Sequence, residues 1–335
     1  MSTAKKTLFL TGGSGYLGQR LIPLAVAKYN YTIRALSRTP TSDALLRSLG
    51  AIPIRGDLTS HAVLRAESRS ADAIIHLATA YEFGKHASYD EVKHVDMGGI
   101  DAMFEGLRDS ASHYQGNDGE DEQKEKEKTF ITTSGTLITA PDPSGAETNE
   151  TSPLDPNPIN TRGEVEQYVL ENGDKERRIK PISIRLAPYV HGHAGSGIRR
   201  WMNLAAQTGQ IPLVGDGSNR ITAVHVDDAA ELYLLAVERG GEGEVYNAAA
   251  ETGVTAGEMF GAVAEMMGVE VARMSVEEAE GRMGRVVARF LSVENRASGG
   301  KARRELGWVV RGRGVLEEIR EGSYRDVVDV IKNQV

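Results

Sequence analysis

Short apolar runs alternate with stretches of helical apolar spacing through the first half of the chain. Thr7 to Leu10 reads as a buried strand, and from Tyr16 to Lys28 the apolar positions Leu17, Leu21, Leu24 and Ala25 recur with helical spacing. The alternation continues, with strands expected at Thr32 to Leu36, Ile52 to Ile54 and Ala73 to Leu77, and helices over Ser42 to Leu49 and from about Ser60. A long helical stretch, Tyr89 to Ser112, precedes a fifth strand at Thr129 to Thr133; a helix at Arg162 to Leu170 precedes a sixth at Pro181 to Leu186. Strands and helices alternating at this spacing predict right-handed βαβ units in a parallel sheet, an α/β fold. Two stretches break the rhythm. Gln115 to Lys128 has no apolar face and reads as a dispensable, solvated insertion, while Ala140 to Ile159, rich in Pro, Asp, Asn and Thr, reads as loop.

Beyond Leu186 the expected elements are smaller. Helices are predicted from about Gly197 to Ala206, Asp227 to Glu238, Ala256 to Met267, Val276 to Leu291, Ala302 to Trp308 and Leu316 to Val330. A glycine turn at Gly215-Asp216-Gly217, a short strand into Val224 and a strand at Val245 to Ala248 lie among them.

At 335 residues the chain can bury a full α/β core, which we place in a Rossmann-type domain over 1–190. A smaller substrate lobe would occupy most of 191–335, with segments returning to the sheet. The net charge of -8 argues against nucleic acid or an anionic membrane as partner. With no cysteine, disulfides and thiolate chemistry are excluded. No apolar run reaches membrane-spanning length, and the first strand leaves little room for a secretory leader, so a cytoplasmic location is expected. A homodimer is compatible with all of this.

The candidate chemistry begins where the first strand meets the first helix. Thr11-Gly12-Gly13-Ser14-Gly15-Tyr16-Leu17-Gly18 is a glycine turn in strand-to-helix context, where backbone N–H groups cradle a pyrophosphate. The second strand ends at Ser37-Arg38. An acid there would bond the 2′-hydroxyl of NAD, whereas an arginine accommodates the 2′-phosphate, so Arg38 points to NADP(H).

Together with Gly56-Asp57-Leu58 and His76-Leu77-Ala78, the glycine pattern resembles that of extended short-chain dehydrogenases/reductases, a group that includes sugar-nucleotide epimerases. His225-Val226-Asp227-Asp228 and Arg304-Glu305-Leu306-Gly307-Trp308 extend the resemblance over essentially the whole chain. It implies a doubly wound Rossmann sheet with a C-terminal substrate lobe. It further implies Asp57 and Leu58 at the adenine and Ala78 near the ribose; Gly12, Gly15, Tyr16, Leu17 and Pro188 complete the expected cofactor contacts.

The family's Tyr-x-x-x-Lys is missing, which makes the chain resemble the atypical members. Its tyrosine position falls on Pro158 and its lysine position on Arg162. Proline has no proton to give, and a guanidinium stays charged. Arg162 can bind ribose or a phosphate, or it can pair with Glu166 on one helix face. Ser134 and Thr136 both lie near the family's serine position, where a hydroxyl orients the substrate oxygen. Tyr81, Tyr189 and His191 are the candidate replacement acids at the carboxyl edge of the sheet. No metal is expected, because no further ligand follows His191 and His193 at metal-binding spacing. The expected function is an NADP(H)-dependent oxidoreductase acting on a carbonyl or alcohol of a small molecule. A non-redox isomerase, dehydratase, epimerase or cyclase is the alternative, and a nucleotide-sensing protein without turnover is the third reading.

Overall fold

A computed structural model describes residues 5–82, 85–112, 127–173 and 179–334. The expected alternation is present: β1 (Thr7–Thr11), α1 (Tyr16–Ala27), β2 (Thr32–Ser37), α2 (Pro40–Ser48), β3 (Ile52–Arg55), α3 (His61–Ser70) and β4 (Ala73–His76). A 3₁₀ turn, Tyr89–Glu91, leads into α4 (Lys93–Ser112), followed by β5 (Lys128–Gly135), α5 (Arg162–Glu171) and β6 (Ile179–Leu186). Then come β7 (Tyr189–His191), α6 (Ser196–Thr208), β8 (Gln210–Val214), β9 (Ala223–His225), α7 (Val226–Arg239) and β10 (Val245–Ala248). The chain closes with α8 (Ala256–Met267), β11 (Glu270–Met274), α9 (Val276–Met283), α10 (Arg285–Ser292), α11 (Gly300–Leu306), α12 (Val315–Glu321) and α13 (Val328–Lys332).

Seven strands form one sheet in the order β10-β6-β5-β4-β1-β2-β3. β1 pairs in parallel with β2 and β4, β2 with β3, and β4 with β5. The inner strands β1, β4, β5 and β6 are buried on both faces, as a doubly wound sheet requires, while the edge strand β3 is half-buried to exposed. Phe9, Ile74 and Phe130 enter a cluster with Leu64 of α3, Phe104 of α4 and Val169 of α5. Phe104 stacks on Phe130 with centroids 4.6 Å apart. The alternate positions Leu8, Leu10, Ile75 and Ile131 point to the opposite face and are fully buried too. Lys28 and Tyr29, just after α1, reach Glu231 of α7 at 2.5 and 2.6 Å.

By compactness the chain divides into two units, 1–134 with 160–184 and 230–245, and 135–159 with 185–229 and 246–335. The two units alternate along the chain. The second unit has its own apolar core, built on Met202, Leu213, Met259, Phe260, Leu291, Ile319 and Tyr324. It carries two small parallel sheets, β7 with β9 and β8 with β11.

Several sequence expectations need correction. β5 runs through Ser134 to Gly135, so Ser134 is a strand residue and does not lie in the following turn. The helix expected over Val276 to Leu291 is two helices, broken at Gly284, whose φ of 83° suits glycine. The stretch from Leu316 likewise splits at Gly322 into α12, a 3₁₀ turn and α13. β7 has only three residues and β11 is half-buried to exposed, so neither announces itself by apolar alternation; the buried β8 was also not anticipated. The insertion expected at Gln115 to Lys128 lies outside the described residues except for Glu127 and Lys128.

Candidate active site

Parallel pairing puts the carboxyl ends of β1 to β5 on one edge of the sheet, and most of the expected cofactor residues sit there. Gly12 has φ 73°, and a Cβ on it would lie 2.9 Å from the Ala78 amide nitrogen. A Cβ on Gly18 would lie 2.6 Å from Gly12 O and from Gly13 Cα. These two glycines close-pack the turn on the helix and on the end of β4. Gly15 differs, since a Cβ there would meet only Gly12 O, at 3.1 Å, with open space otherwise. It is the N-cap of α1, whose start has no side-chain cap and no acidic residue in its first turn. A twelve-residue helix ending this way offers its N–H groups and positive pole to an anion, and the cradle fits a pyrophosphate. Tyr16 and Leu17 open this helix.

Arg38 follows β2 with its side chain 73% exposed, and its nearest carboxylate is Glu82 at 4.0 Å. An exposed contact of that length contributes little, so the guanidinium is available to a ligand. Asp57 caps its own turn, its Oδ1 accepting from the Thr59 amide at 2.9 Å and from Thr59 Oγ1 at 2.7 Å. Those hydrogen bonds hold its carboxyl below the usual range. The Leu58 side chain is buried in the core beside α3 and α4, which leaves its backbone as the part a ligand could meet.

Beyond β4 lies a polar network that sequence reading missed. The Ala78 amide donates to Thr11 Oγ1 at 3.2 Å, and Thr11 Oγ1 lies 2.7 Å from His76 Nδ1. With its lone pair engaged by Ala78, the Thr11 hydroxyl can give its proton to His76. Burial lowers the His76 pKa to about 4, with Asp96 opposing and the Arg162 charge reinforcing the shift. Asp96, itself buried, accepts from Thr79 Oγ1 and the Ala80 amide, both at 2.7 Å, and from the Tyr89 hydroxyl at 2.9 Å. It thereby pins the loop that carries Ala78 and Tyr81. Asp96 falls at helical spacing from the buried Ile100, Met103 and Leu107, and an acid on that apolar face of α4 was the available signal.

Arg162, the first residue of α5, sets its guanidinium over the Tyr89 ring, 4.8 Å from the centroid. Glu166, the partner in the alternative reading of Arg162, accepts from Ser183 Oγ at 2.7 Å. Burial first, and then Asp96, raise the Tyr89 pKa, while Arg162 opposes. Pro158 lies in an exposed loop before α5. No helical turn carries that position, so a side chain there would not follow the family's four-residue spacing to Arg162.

The two candidate hydroxyls have separate fates. Thr136 Oγ1 donates to Asn295 Oδ1 at 2.8 Å, and Asn295 Nδ2 donates back to the Thr136 carbonyl at 3.3 Å. Thr136 is therefore spent on holding Asn295. Ser134 Oγ is buried with no hydrogen-bond partner among the described residues. The three acid candidates also separate. Tyr189 packs against Phe290 in the second unit's core, with its hydroxyl enclosed and burial raising its pKa. His191 is 1% exposed, with Nε2 3.0 Å from the Arg313 carbonyl. Pro188 precedes them in the same unit. Tyr81 alone of the three is partly exposed, its ring edge-on to Tyr89 with centroids 6.4 Å apart. His193 and Asp227, absent from the expected site, meet at 2.8 Å.

A doubly wound sheet with an anion cradle after its first strand defines a Rossmann-type nucleotide-binding protein. More narrowly, the sequence pattern of the NAD dependent epimerase/dehydratase family matches residues 8–249, and the chain belongs to that family. An uncharacterized protein of Saccharomyces cerevisiae is 28% identical over 93% of this chain and 97% of its own. A sterol-4-alpha-carboxylate 3-dehydrogenase (decarboxylating) of Dictyostelium discoideum is 26% identical over 72% of this chain and 70% of its own. The crystal structure of Thermus thermophilus UDP-glucose 4-epimerase in complex with NAD superposes with a TM-score of 0.70. It is 20% identical and covers 98% of this chain and all of that one, a likeness of fold.

Proposed function

We propose that the chain is an NADP(H)-dependent oxidoreductase acting on a carbonyl or alcohol of a small organic molecule. The observation that carries this reading is the uncapped start of α1, with open space at Gly15 and the exposed Arg38 guanidinium on the same sheet edge. Gly12, Gly15, Tyr16 and Leu17 would hold the pyrophosphate, Arg38 the 2′-phosphate, Asp57 and Leu58 the adenine, and Ala78 the ribose. Dehydrogenase and ketoreductase relatives support a redox reaction. The bound cofactor supplies or accepts the hydride. The protein must orient the substrate oxygen and move one proton. Ser134, whose hydroxyl has no partner among the described residues, orients the oxygen. Arg162 contributes a fixed positive charge that favours negative charge developing nearby, but it carries no proton to and fro. Tyr81 donates the proton, held in place by the loop that Asp96 pins. Tyr189 and His191 serve the packing of the second unit.

The test follows absorbance of reduced nicotinamide against a panel of small ketones and aldehydes. Tyr81→Phe should lower turnover by on the order of 10²–10⁴ while NADPH binding persists. Near wild-type turnover in that variant would remove Tyr81 from the role. Product formation with no net change in the nicotinamide band would indicate the non-redox alternative.

A further inference from the structure

We propose that His193, His225 and Asp227 form a binding site for a divalent transition metal of the zinc class. Each residue offers one donor atom, and all three atoms lie within 4.8 Å of one another. Asp227 Oδ2 is 2.8 Å from His193 Nε2 and 3.8 Å from His225 Nδ1. Zinc holds imidazole nitrogen and carboxylate oxygen at about 2.0–2.2 Å, which sets neighbouring donors roughly 3.3 Å apart. The donors therefore bracket the required spacing. His193 and Asp227 are the more exposed members, with side chains 44% and 42% exposed, while His225, at 11%, is enclosed and its Nδ1 accepts from the Asp227 amide at 3.2 Å, a bond that a metal at that nitrogen would replace.

The backbone around His193 is held in an unfavourable shape. His193, Ala194 and Ser196 have φ of 48°, 52° and 67°, a region that non-glycine residues rarely adopt. Such backbone persists only where its surroundings determine it, and it gathers at functional sites. Here the Gly192 amide donates to the Tyr324 hydroxyl at 3.0 Å, that hydroxyl donates to the Gly195 carbonyl at 2.9 Å, and the Ala194 amide donates to Ser323 Oγ at 2.6 Å. These contacts present the His193 imidazole to Asp227. An exposed ion pair on a mobile turn would need none of this.

The chemistry agrees with the geometry. Two imidazoles and one carboxylate are a borderline donor set suited to zinc, nickel or copper rather than to calcium or magnesium. Asp227 lies in the first turn of α7, where the helix start favours the ionised carboxylate that a metal needs. A third imidazole backs the cluster. His191 lies edge-on to His225, centroids 5.5 Å apart; its Nε2 is engaged by the Arg313 carbonyl and its buried Nδ1 has no partner among the described residues. Three protein ligands leave a coordination position open to water or to an oxygen of a small molecule. His193 precedes α6, whereas His225 ends β9 and Asp227 opens α7 more than thirty residues later, which is why spacing along the chain concealed the set.

The test uses untagged, chelator-treated full-length protein titrated with Co²⁺ alone, read by its visible d–d absorption. Zinc retained after gel filtration is measured in parallel by elemental analysis. Wild type should give a saturable band and retain about one zinc per chain. His193→Ala and Asp227→Asn should each weaken binding at least tenfold, since even the loss of an outer-shell partner costs a metal site roughly 10- to 100-fold. His61→Ala, altering a histidine on α3, should leave it unchanged. Absence of the band and of retained zinc in wild type, or binding as tight as wild type in both ligand variants, overturns the proposal. Far-UV circular dichroism of each variant identifies any that fails to fold, and Asp227→Asn preserves the side chain's shape.

Discussion

The glycine turn after β1 and the approach to α5 were both read against the same family pattern, and they diverge. In the turn every glycine has a local geometric reason, and the surroundings of Gly12, Gly15 and Gly18 are those a bound pyrophosphate requires. At α5 the helix begins only at Arg162, the tyrosine position is an exposed proline, and the cation meets Tyr89 rather than a catalytic tyrosine. The glycine turn thus has a close-packed geometry of the kind the family resemblance implies, while the approach to α5 lacks the family's tyrosine and lysine, and our proposal moves the acid–base work to other residues. Binding depends on backbone shape, which glycines declare. Proton transfer depends on which side chains the fold brings together.

The turn is the place to break this contrast most severely. Gly18→Ala would set a methyl 2.6 Å from backbone atoms that cannot move aside, at a cost of about 3 kcal/mol or more. Chemical denaturation should show the loss, and NADPH affinity should fall with it. Gly261→Ala is the control: it lies within α8 with nothing near its added Cβ, so it should stabilise by roughly 0.5–1 kcal/mol. Equal effects of the two substitutions would refute the close-packing argument.

A second, smaller effect concerns the network beside Arg162. His76 has its pKa depressed in the folded protein, so the unfolded chain takes up a proton first as pH falls. The associated stability is fully present above about 6.5 and is lost between there and about 4. A shift of that size corresponds to no more than about 3 kcal/mol. Denaturation midpoints across this range should fall with pH in wild type and fall less in His76→Gln. Parallel curves would mean that His76 is not held neutral.

The smallest effect is expected at the empty tyrosine position. Pro158→Tyr should leave turnover unchanged, because the position is exposed, lies outside α5 and has no neighbouring lysine. A gain in steady-state rate would show that the loop can present a side chain to the substrate after all.

The sequence disclosed what is local. Alternating apolar runs located β1 to β6 and α1 to α5 within a few residues, and β10 and α8 as they stand, since each is bounded by turn or capping residues. Thr255 and Glu258, for example, form a reciprocal cap at the start of α8. What it withheld is non-local. That Thr136 would be consumed by Asn295, 159 residues away, leaves no trace in either segment. The pinning of the β4 loop by Asp96 and the meeting of His193 with Asp227 are likewise products of the fold, and only the place of Asp96 on the apolar face of α4 hinted at the first.

The account rests on an intact nucleotide site that selects its cofactor through Arg38. Direct titration of wild type and Arg38→Ala with NADPH and NADH tests this. Wild type should bind NADPH more tightly, and the variant should lose about 1.5–3 kcal/mol of NADPH affinity, the worth of hydrogen bonds to a charged group, with NADH nearly unchanged. Equal losses for both cofactors, or a wild type that prefers NADH, would contradict it.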